Sequence, residues 1–389
     1  MKKNYIMGVI ACAALTMTSC SNDEIGEKNS QQQIPIEFGV YLGRDAQNSR
    51  GSELTTDNLP KFGVLAYYSP EESSPDFMYN QAVTKNGTSW TYSPLKYWPT
   101  TQGHPLIFHA YAPHTDDDAN NQITLCSNTQ SGLPQFTISI PSTNLTNMVD
   151  FIACSRTISN SPTIKTVEFT FKHEMTRIGL KAKVNKAVYG SDAANKTKVV
   201  IRSIQLNKGG DFFTKATYTF PQESLLPGYS VDSKWDKQEG EANLNLQSIL
   251  NWSSDWTING TDTKVISDNN KGIVLEGETA VNLLKTDNEK QQYLFLIPAK
   301  DSSKGTKVNS TKATIKYDII TEDANLKDGY SITSAEKIVA LPEGIMKKGQ
   351  AYNLTFTINV DDVELSATTD AWKDTTKDVD VEYTDKDTY

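Results

Sequence analysis

Apolar side chains at every second position are the feature that most restricts the fold of this chain. Val167, Phe169 and Phe171 alternate with Glu168 and Thr170, and the same period recurs in many short segments separated by Gly, Pro, Asn, Asp and Ser. Successive side chains of a β-strand point to opposite faces, so a period of two predicts strands with one face in a core and one in water. We therefore expect an all-β chain.

The predicted strands form two series, separated by a small and polar stretch from Val188 to Lys198. The first series is Ile34–Val40, Phe62–Tyr68, Leu106–Tyr111, Phe136–Ile140, Phe151–Ala153, Val167–Phe171 and Ile178–Val184. The second is Val199–Leu206, Ala216–Phe220, Tyr293–Ile297, Ala313–Ile320, Lys337–Leu341 and Tyr352–Val360. Glu241 to Leu250 is the best short helical candidate. Because 389 residues exceed the usual size of one core, we expect two consecutive antiparallel β-sandwich domains, at 51–190 and 191–389.

The first 20 residues indicate export. Two lysines precede an apolar run from Tyr5 to Leu15, and small residues then lead to Cys20. A membrane-spanning helix needs about 20 apolar residues, more than this run holds, so a lipoprotein signal peptide is favoured. Processing would make Cys20 an N-terminus whose acyl chains anchor it in the outer membrane at the cell surface. The alternative is a secreted protein with an incidental cysteine. Ser21 to Gln33 is polar and predicts a tether.

Charge and motifs argue against several classes of function. The net charge is −9, and it becomes −11 once the leader's two lysines are removed, so nucleic acid is not an expected partner. No G-x-S-x-G, Walker, dinucleotide or EF-hand pattern occurs, and the histidines lack zinc-site spacing, so we expect no enzyme, no cofactor and no metal. Asp116 to Asp118 suggest a weak calcium site, but a solvated turn is favoured. For Cys126 and Cys154, a disulfide and free thiols both remain open.

Two aromatic clusters have alternative interpretations. Trp252 and Trp256 stand among polar residues and either stack on sugar rings or pack in a loop, which is favoured. Tyr92, Tyr97 and Trp98 form either a binding platform or a lid on the first sandwich, again the favoured reading. If the sugar interpretation held, the chain would be a surface glycan-binding lipoprotein, which is the alternative function.

Six motifs follow one another in order along nearly all of the chain after the leader. They are Ile36-Glu-Phe38 with its arginine-bearing loop, Phe62-Gly-Val-Leu-Ala-Tyr67, Met78-Tyr-Asn-Gln-Ala-Val83, Trp90-Thr-Tyr-Ser-Pro-Leu-Lys-Tyr-Trp-Pro99, Phe108-His-Ala-Tyr-Ala-Pro113 and Phe171-Lys-His173. In order and spacing they resemble the fimbrillin family, lipoprotein-derived pilins of type V pili. The resemblance implies two transthyretin-like sandwiches, polymerisation with other pilin subunits, a role in adhesion, and strand exchange after an arginine-specific protease removes the N-terminal segment.

The implied cleavage is expected between Arg50 and Gly51, with the bond between Arg44 and Asp45 as second candidate. Both lie in a loop of Gly, Asp, Asn and Ser, which suits a protease cleft. Two of the other three arginines fall in or beside predicted strands, while Arg156 is a competitor. The alternative is that the two loop arginines are ordinary solvated charges.

Strand exchange needs a strand that leaves and a strand that replaces it. The segment at 21–50 carries the strand to be removed, with its apolar side chains Ile34, Ile36, Phe38 and Val40. Near the C-terminus, Val379, Val381 and Tyr383 alternate with two acids and form the expected donor strand for a neighbouring subunit. A strand that completes its own domain, or a disordered acidic tail, is the alternative.

Overall fold

A computed structural model of the protein describes most of the chain after residue 32. The described ranges are 33–42, 54–68, 77–99, 105–117, 122–126, 133–141, 145–159, 166–185, 196–207, 213–223, 230–240, 243–253, 272–275, 277–287, 290–307, 311–359 and 362–370. Within them the regular secondary structure is almost entirely β-strand, as the alternating pattern predicts.

The described residues contain 24 strands and three short 3-10 helices. The first twelve strands are β1 Glu37–Tyr41, β2 Lys61–Tyr67, β3 Met78–Asn86, β4 Ser89–Thr91, β5 Pro105–Ala112, β6 Ile123–Leu125, β7 Gln135–Ser139, β8 Ile152–Ser159, β9 Thr166–Thr170, β10 Lys172–His173, β11 Thr176–Val184 and β12 Thr197–Asn207. The others are β13 Lys215–Thr219, β14 Lys234–Glu239, β15 Leu244–Asn245, β16 Ile273–Leu275, β17 Val281–Asn282, β18 Thr286–Asp287, β19 Lys290–Gln291, β20 Leu294–Leu296, β21 Lys312–Glu322, β22 Tyr330–Ala340, β23 Ala351–Ile358 and β24 Val363–Asp370. The 3-10 helices are Thr115–Asp117, Leu145–Asn147 and Leu246–Ser248.

These strands form six sheets. A two-stranded sheet pairs β1 with β9, and a six-stranded sheet has the order β10-β8-β5-β2-β3-β4. A four-stranded sheet has the order β14-β13-β7-β6, and β18 pairs with β19. One five-stranded sheet has the order β17-β11-β23-β24 with β20 beside β11, and the other has the order β15-β12-β21-β22 with β16 beside β12. The expected all-β class is confirmed.

Two of the pairings are parallel, in contrast to the expected antiparallel arrangement. β1 runs parallel to β9, and β11 runs parallel to β23. A parallel pair needs a long crossover connection, and in both cases more than a hundred residues of chain lie between the partners. Strand patterns reveal which segments are strands but not which distant segment each one meets, so this pairing was not predictable.

The six-stranded sheet separates two hydrophobic cores. On β2, Phe62 and Val64 point into one core while Leu65 points into the other, and on β5 Phe108 and Tyr111 divide in the same way. Both faces of these strands are covered, which explains why β2 reads as a continuous apolar run. We call the smaller core, which also contains the buried side chains of β1 and β9, the groove core.

Strands from both sides of residue 190 share sheets. β11, which precedes it, pairs with β17, β20 and β23, and β13, which follows it, pairs with β7. By their contacts, residues 34–389 form one unit. The domain boundary near residue 190 stays a prediction.

The segment from Glu241 to Leu250 is not the helix that its apolar residues suggested. Leu244 and Asn245 form β15 and pair with β12, and only Leu246–Ser248 turn as a 3-10 helix. The Asn245 side chain accepts a hydrogen bond from Gln247 N, which caps this single turn. A cap of this kind fixes where the turn begins. At its other end, Leu250 forms an antiparallel bridge with Leu284, so the helix does not extend.

Polar side chains from three segments form a largely buried cluster. The three segments immediately precede β11, β14 and β23. Ser233 Oγ donates to Glu174 Oε2 at 2.6 Å, and Lys348 Nζ donates to Ser233 Oγ at 2.7 Å. Lys348 also lies 2.8 Å from Asp232 Oδ1 and 3.8 Å from Glu174 Oε2. Burial raises the pKa of the Glu174 carboxyl to about 7, against the opposing effect of the Lys348 ammonium.

Glu174→Gln is expected to change the pH dependence of stability. The folded protein holds a proton on Glu174 between the ordinary pKa of 4.5 and about 7, while the unfolded chain does not. The free energy of unfolding of the wild type therefore falls as pH rises through this window. Urea unfolding should find the variant close to wild type at pH 4.5 and more stable at pH 8, by up to about 3 kcal/mol. An equal difference between the two proteins at both pH values would contradict this.

Candidate functional site

The first strand, β1, lies in a seat with two main-chain walls. On one side it pairs with β9 from Glu37 opposite Thr166 to Tyr41 opposite Thr170. On the other side, Ile36 N donates to Lys96 O at 2.9 Å, and the segment containing Lys96 donates in return through Trp98 N to Ile34 O at 2.9 Å. The strand is therefore hydrogen-bonded to β9 along its length, and the residues just before it are hydrogen-bonded to the 96–98 segment.

The side chains of β1 and its flanking residues alternate between the groove core and water. Ile36, Phe38 and Leu42 are 1%, 5% and 1% exposed, whereas Glu37 is exposed. Ile34 and Val40 are half-buried against the same core. The four apolar residues assigned to the removable strand thus all contact one core. Whether the strand is removed stays a prediction.

Aromatic rings make up the floor of this seat. The ring of Phe38 lies 5.2 Å from Tyr92, 5.5 Å from Phe169 and 6.2 Å from both Phe62 and Phe108. Most of these pairs meet edge to face or tilted, which is the favourable geometry for aromatic contacts. Without β1 the four partner rings would line an apolar groove.

Two hydroxyl groups hold the main chain at the two ends of this seat. Tyr92 donates its hydroxyl hydrogen to Ile36 O at 2.9 Å. At the other end, Leu42 N donates to Thr56 Oγ1 at 2.8 Å, and Thr56 Oγ1 donates back to Leu42 O at 2.7 Å. Burial raises the pKa of Tyr92, so its hydroxyl keeps its hydrogen. The sequence offered no signal for either group beyond the aromatic motif that contains Tyr92.

The chain after the predicted cleavage loop is fixed to the body. Leu54 N donates to Asp150 Oδ2 at 2.9 Å, and the same carboxylate meets His173 Nδ1 at 3.0 Å. The Asp150 side chain is fully buried. The loop therefore begins at Leu42 and ends at Leu54, each of which is bonded to the protein body.

The predicted cleavage residues Arg44, Asp45, Arg50 and Gly51 lie outside the described residues, between these two fixed points. The other three arginines lie inside strands. Arg156 is in β8 and donates to Glu223 at 2.9 Å, Arg177 in β11 lies 4.4 Å from the ring centroid of Tyr293, and Arg202 in β12 meets Asp318 at 2.7 Å. The Arg156 side chain is half-exposed, but its backbone is paired because β8 pairs with β5 along its length. This pairing disfavours Arg156 as a competing cleavage site.

The remaining predicted site residues fall at the two ends of the chain. Cys20 and the donor residues Val379, Val381 and Tyr383 lie outside the described residues. The last described strand, β24, ends at Asp370 and pairs with β23.

The aromatic residues for which the sequence left two interpretations differ in their burial. Trp98 is 6% exposed and packs against Phe108 in the groove core, as a lid requires, while Tyr97 is 41% exposed. Trp252 is half-buried against the larger core, which matches loop packing. Trp256 lies outside the described residues.

The described residues offer no arrangement typical of metal chemistry. Within these ranges no three His, Cys, Asp or Glu side chains are placed to hold a metal ion. Asp116 and Asp117 lie in a 3-10 helix, and Asp118 lies outside the described ranges. Cys126 and Cys154 are both free, and burial raises the pKa of the Cys154 thiol well above its usual range, which makes it a poor nucleophile. None of the helices in the described part of the chain is long and apolar enough to cross a membrane.

Comparison with known proteins gives consistent results. A family model described as fimbrillin-like matches residues 48–372. Fimbrium subunit Fim1C of Phocaeicola vulgatus is 28% identical over an alignment of 404 residues. The alignment covers 96% of this chain and 98% of that protein. A crystal structure of a fimbrial protein from Bacteroides vulgatus, at 24% identity, has a TM-score of 0.67 and covers 87% of this chain and 100% of its own. This last likeness shows a shared fold.

Proposed function

The chain belongs to the fimbrillin-like family, and on that premise we propose that it is a structural subunit of cell-surface fimbriae, exported as a lipoprotein and polymerised by strand exchange after arginine-specific proteolysis. Members of such a family assemble with other pilin subunits and support adhesion. In our proposal the further partners are the maturation protease and, through lipid on Cys20, the outer membrane. The proposal includes no nucleic acid and no catalysis.

The observation that carries the proposal is the seat of β1. The strand and the residues that flank it supply three buried side chains, Ile36, Phe38 and Leu42, to a core whose other members come from the protein body. Burial of an apolar side chain contributes roughly 1.5 to 3 kcal/mol, so these three side chains contribute several kcal/mol to the stability of the groove core. Its loss would expose an aromatic groove and the free edge of β9, a combination that binds an extended strand by main-chain ladder and side-chain pockets.

The proposal assigns a role to each part of the chain. Residues 1–20 are the export signal, and residues 21–50 are the tether, the removable strand and the start of the cleaved loop. Residues 51–190 and 191–389 form the two sandwich domains, with the donor strand at 379–383. Hydrogen bonding of Leu54 to Asp150 supports this assignment, because it keeps the new N-terminus attached to the body after a cut at Arg50.

Incubation of the exported chain with an arginine-specific protease tests the proposal. We expect a ladder of polymers on a native gel. We also expect a released fragment whose mass corresponds to a C-terminus at Arg50. A released fragment without any polymer would contradict strand exchange. A cleaved chain that keeps the fragment in denaturant-free buffer would contradict the removal of β1.

Cys20→Ala is expected to abolish lipidation. Acylation requires the thiol of the residue that becomes the N-terminus, so a fatty-acid probe should label the wild type and not the variant. Cys12→Ala is the matched control, because Cys12 lies within the apolar run of the leader and its loss should leave labelling unchanged. Labelling of the Cys20 variant at the wild-type level would exclude this anchor.

A further inference from the structure

We propose that Tyr92 and Thr56 are positioning residues that clamp the two ends of whichever strand occupies the groove, through its main chain and independently of its sequence. The Tyr92 hydroxyl binds the carbonyl of Ile36, and the Thr56 hydroxyl binds both the N–H and the carbonyl of Leu42. Neither group belongs to a strand beside β1. This inference rests on the proposed function, since it treats β1 as one occupant among two.

Both hydroxyls are held by the protein body and not by β1. Tyr92 accepts a hydrogen bond from Lys96 N at 3.3 Å, and the carbonyl of the next residue, Ser93, accepts one from Gln81 Nε2 at 3.1 Å. These contacts keep the Tyr92 hydroxyl at its end of the groove when β1 is absent.

At the far end, Lys85 Nζ donates to the carbonyl of Thr56 at 2.9 Å. The turn around Thr56 is closed by Asn58, whose side-chain oxygen accepts from Thr55 N at 2.6 Å. Thr56 also lies after Arg50 in the chain, so proteolysis there leaves it on the body. The two clamps therefore survive cleavage in place.

The ends are where clamps have the largest effect. A strand detaches by fraying, because its terminal hydrogen bonds open at the lowest free-energy cost. Pairing with β9 stops at Glu37 and Tyr41, so the residues just beyond, Ile36 and Leu42, depend on the two hydroxyls and on the 96–98 segment. Closing both ends slows the loss of the strand between them.

Because the two hydroxyls bind only main-chain atoms of β1 and its flanking residues, they have a consequence for exchange. Any extended segment of seven residues presents a carbonyl at the position of Ile36 and an N–H and carbonyl at the position of Leu42. The clamps thus hold β1 and an incoming strand of different sequence equally well. Only proline at the Leu42 position would fail, because it lacks the N–H.

The test measures how fast the N-terminal fragment that ends at Arg50 leaves the protease-cleaved, exported chain. Tyr92→Phe and Thr56→Val each remove one hydroxyl while keeping the shape of the side chain. A typical net hydrogen-bond contribution predicts release about fivefold faster for each variant and roughly 25-fold faster for the double variant. Thr56→Ser, which keeps the hydroxyl, and Tyr97→Phe, an exposed position in the same segment, should release at the wild-type rate. Wild-type release from the double variant would overturn the inference.

A second measurement separates a direct clamp from a general loosening of the fold. A synthetic peptide of residues 33–43 is compared with the same peptide in which an ester replaces the amide of Leu42. The ester removes the N–H that Thr56 accepts, so binding to the vacated wild-type groove should weaken about fivefold more than binding to the Thr56→Val groove. Equal weakening in the two proteins would show that Thr56 does not contact the occupant.

Failure of the proposed function gives a different result. If no protein releases the fragment, β1 is not removable, and the clamps are judged on the intact chain by hydrogen exchange. Amides of residues 34–42 should then exchange faster in the double variant than in wild type, with β21 unchanged. Unchanged exchange in residues 34–42 would overturn the clamps themselves.

Discussion

Replacing Arg44 and Arg50 together by lysine is expected to stop polymer formation completely while the monomer stays folded. Lysine keeps the charge and length of the loop but removes the side chain that an arginine-specific protease requires. The other three arginines lie within β8, β11 and β12, where a paired backbone does not fit a protease cleft. The measurement is a native gel of the protease-treated chain, with circular dichroism of the untreated chain as the check on folding.

Single substitutions at the same positions decide which bond is cut. Arg50→Lys alone should move the new N-terminus to Asp45 or abolish cleavage, and Arg44→Lys alone should leave it at Gly51. Arg156→Lys is the matched control and should leave cleavage unchanged. Arg156 lies within β8, is half-exposed and forms an ion pair with Glu223. Polymers that still form from the double variant would show that maturation does not use the loop arginines.

Val379→Asp with Val381→Asp is expected to produce a soluble monomer that is cleaved but does not polymerise. An occupant of the groove has to fill positions such as those of Ile36 and Phe38, which are 1% and 5% exposed. A carboxylate at such a position loses its hydration without gaining a partner and costs several kcal/mol, enough to prevent binding. Size-exclusion chromatography after proteolysis measures the outcome.

The opposite face of the same segment supplies the control. Asp380→Asn with Glu382→Gln changes the side chains that alternate with the valines, and polymers should form as in the wild type. If the valine variant unfolds as a monomer, the segment belongs to its own sandwich and the donor lies elsewhere. If the valine variant polymerises normally, the segment is not a donor.

Strand positions were predictable from the sequence where one face of the strand is buried and the other faces solvent, because the side chains then alternate between apolar and polar. The segments around Phe169 and Leu180 correspond to β9 and β11, and the alternation at Ile36 and Phe38 correctly placed both side chains in a core. β22 is longer than its predicted segment, because Tyr330 to Glu336 is largely polar or exposed and carries little apolar signal. Local pattern determines local structure, and these elements depend on little else.

Long-range relations were not predictable. Nothing in the residues of β1 indicates that its partner is β9, or that the pairing is parallel. The clamps at Tyr92 and Thr56 act on main-chain atoms, so they leave no complementary pattern in the strand that they hold. Arg156 was a competing cleavage site because the sequence pattern ended the predicted strand at Ala153, whereas β8 continues to Ser159.

The loop between Leu42 and Leu54 determines how β1 competes for its seat. Eleven residues connect these two fixed points, so in the uncut chain β1 rebinds as part of the same molecule, at an effective concentration of roughly millimolar. A cut within the loop makes rebinding bimolecular, and at micromolar protein this lowers the tendency to rebind about a thousandfold, which is worth about 4 kcal/mol. No contact in the groove changes. In the proposed mechanism, hydrolysis of one peptide bond would thus turn β1 from a permanent occupant into a dilute ligand that a neighbouring subunit could outcompete.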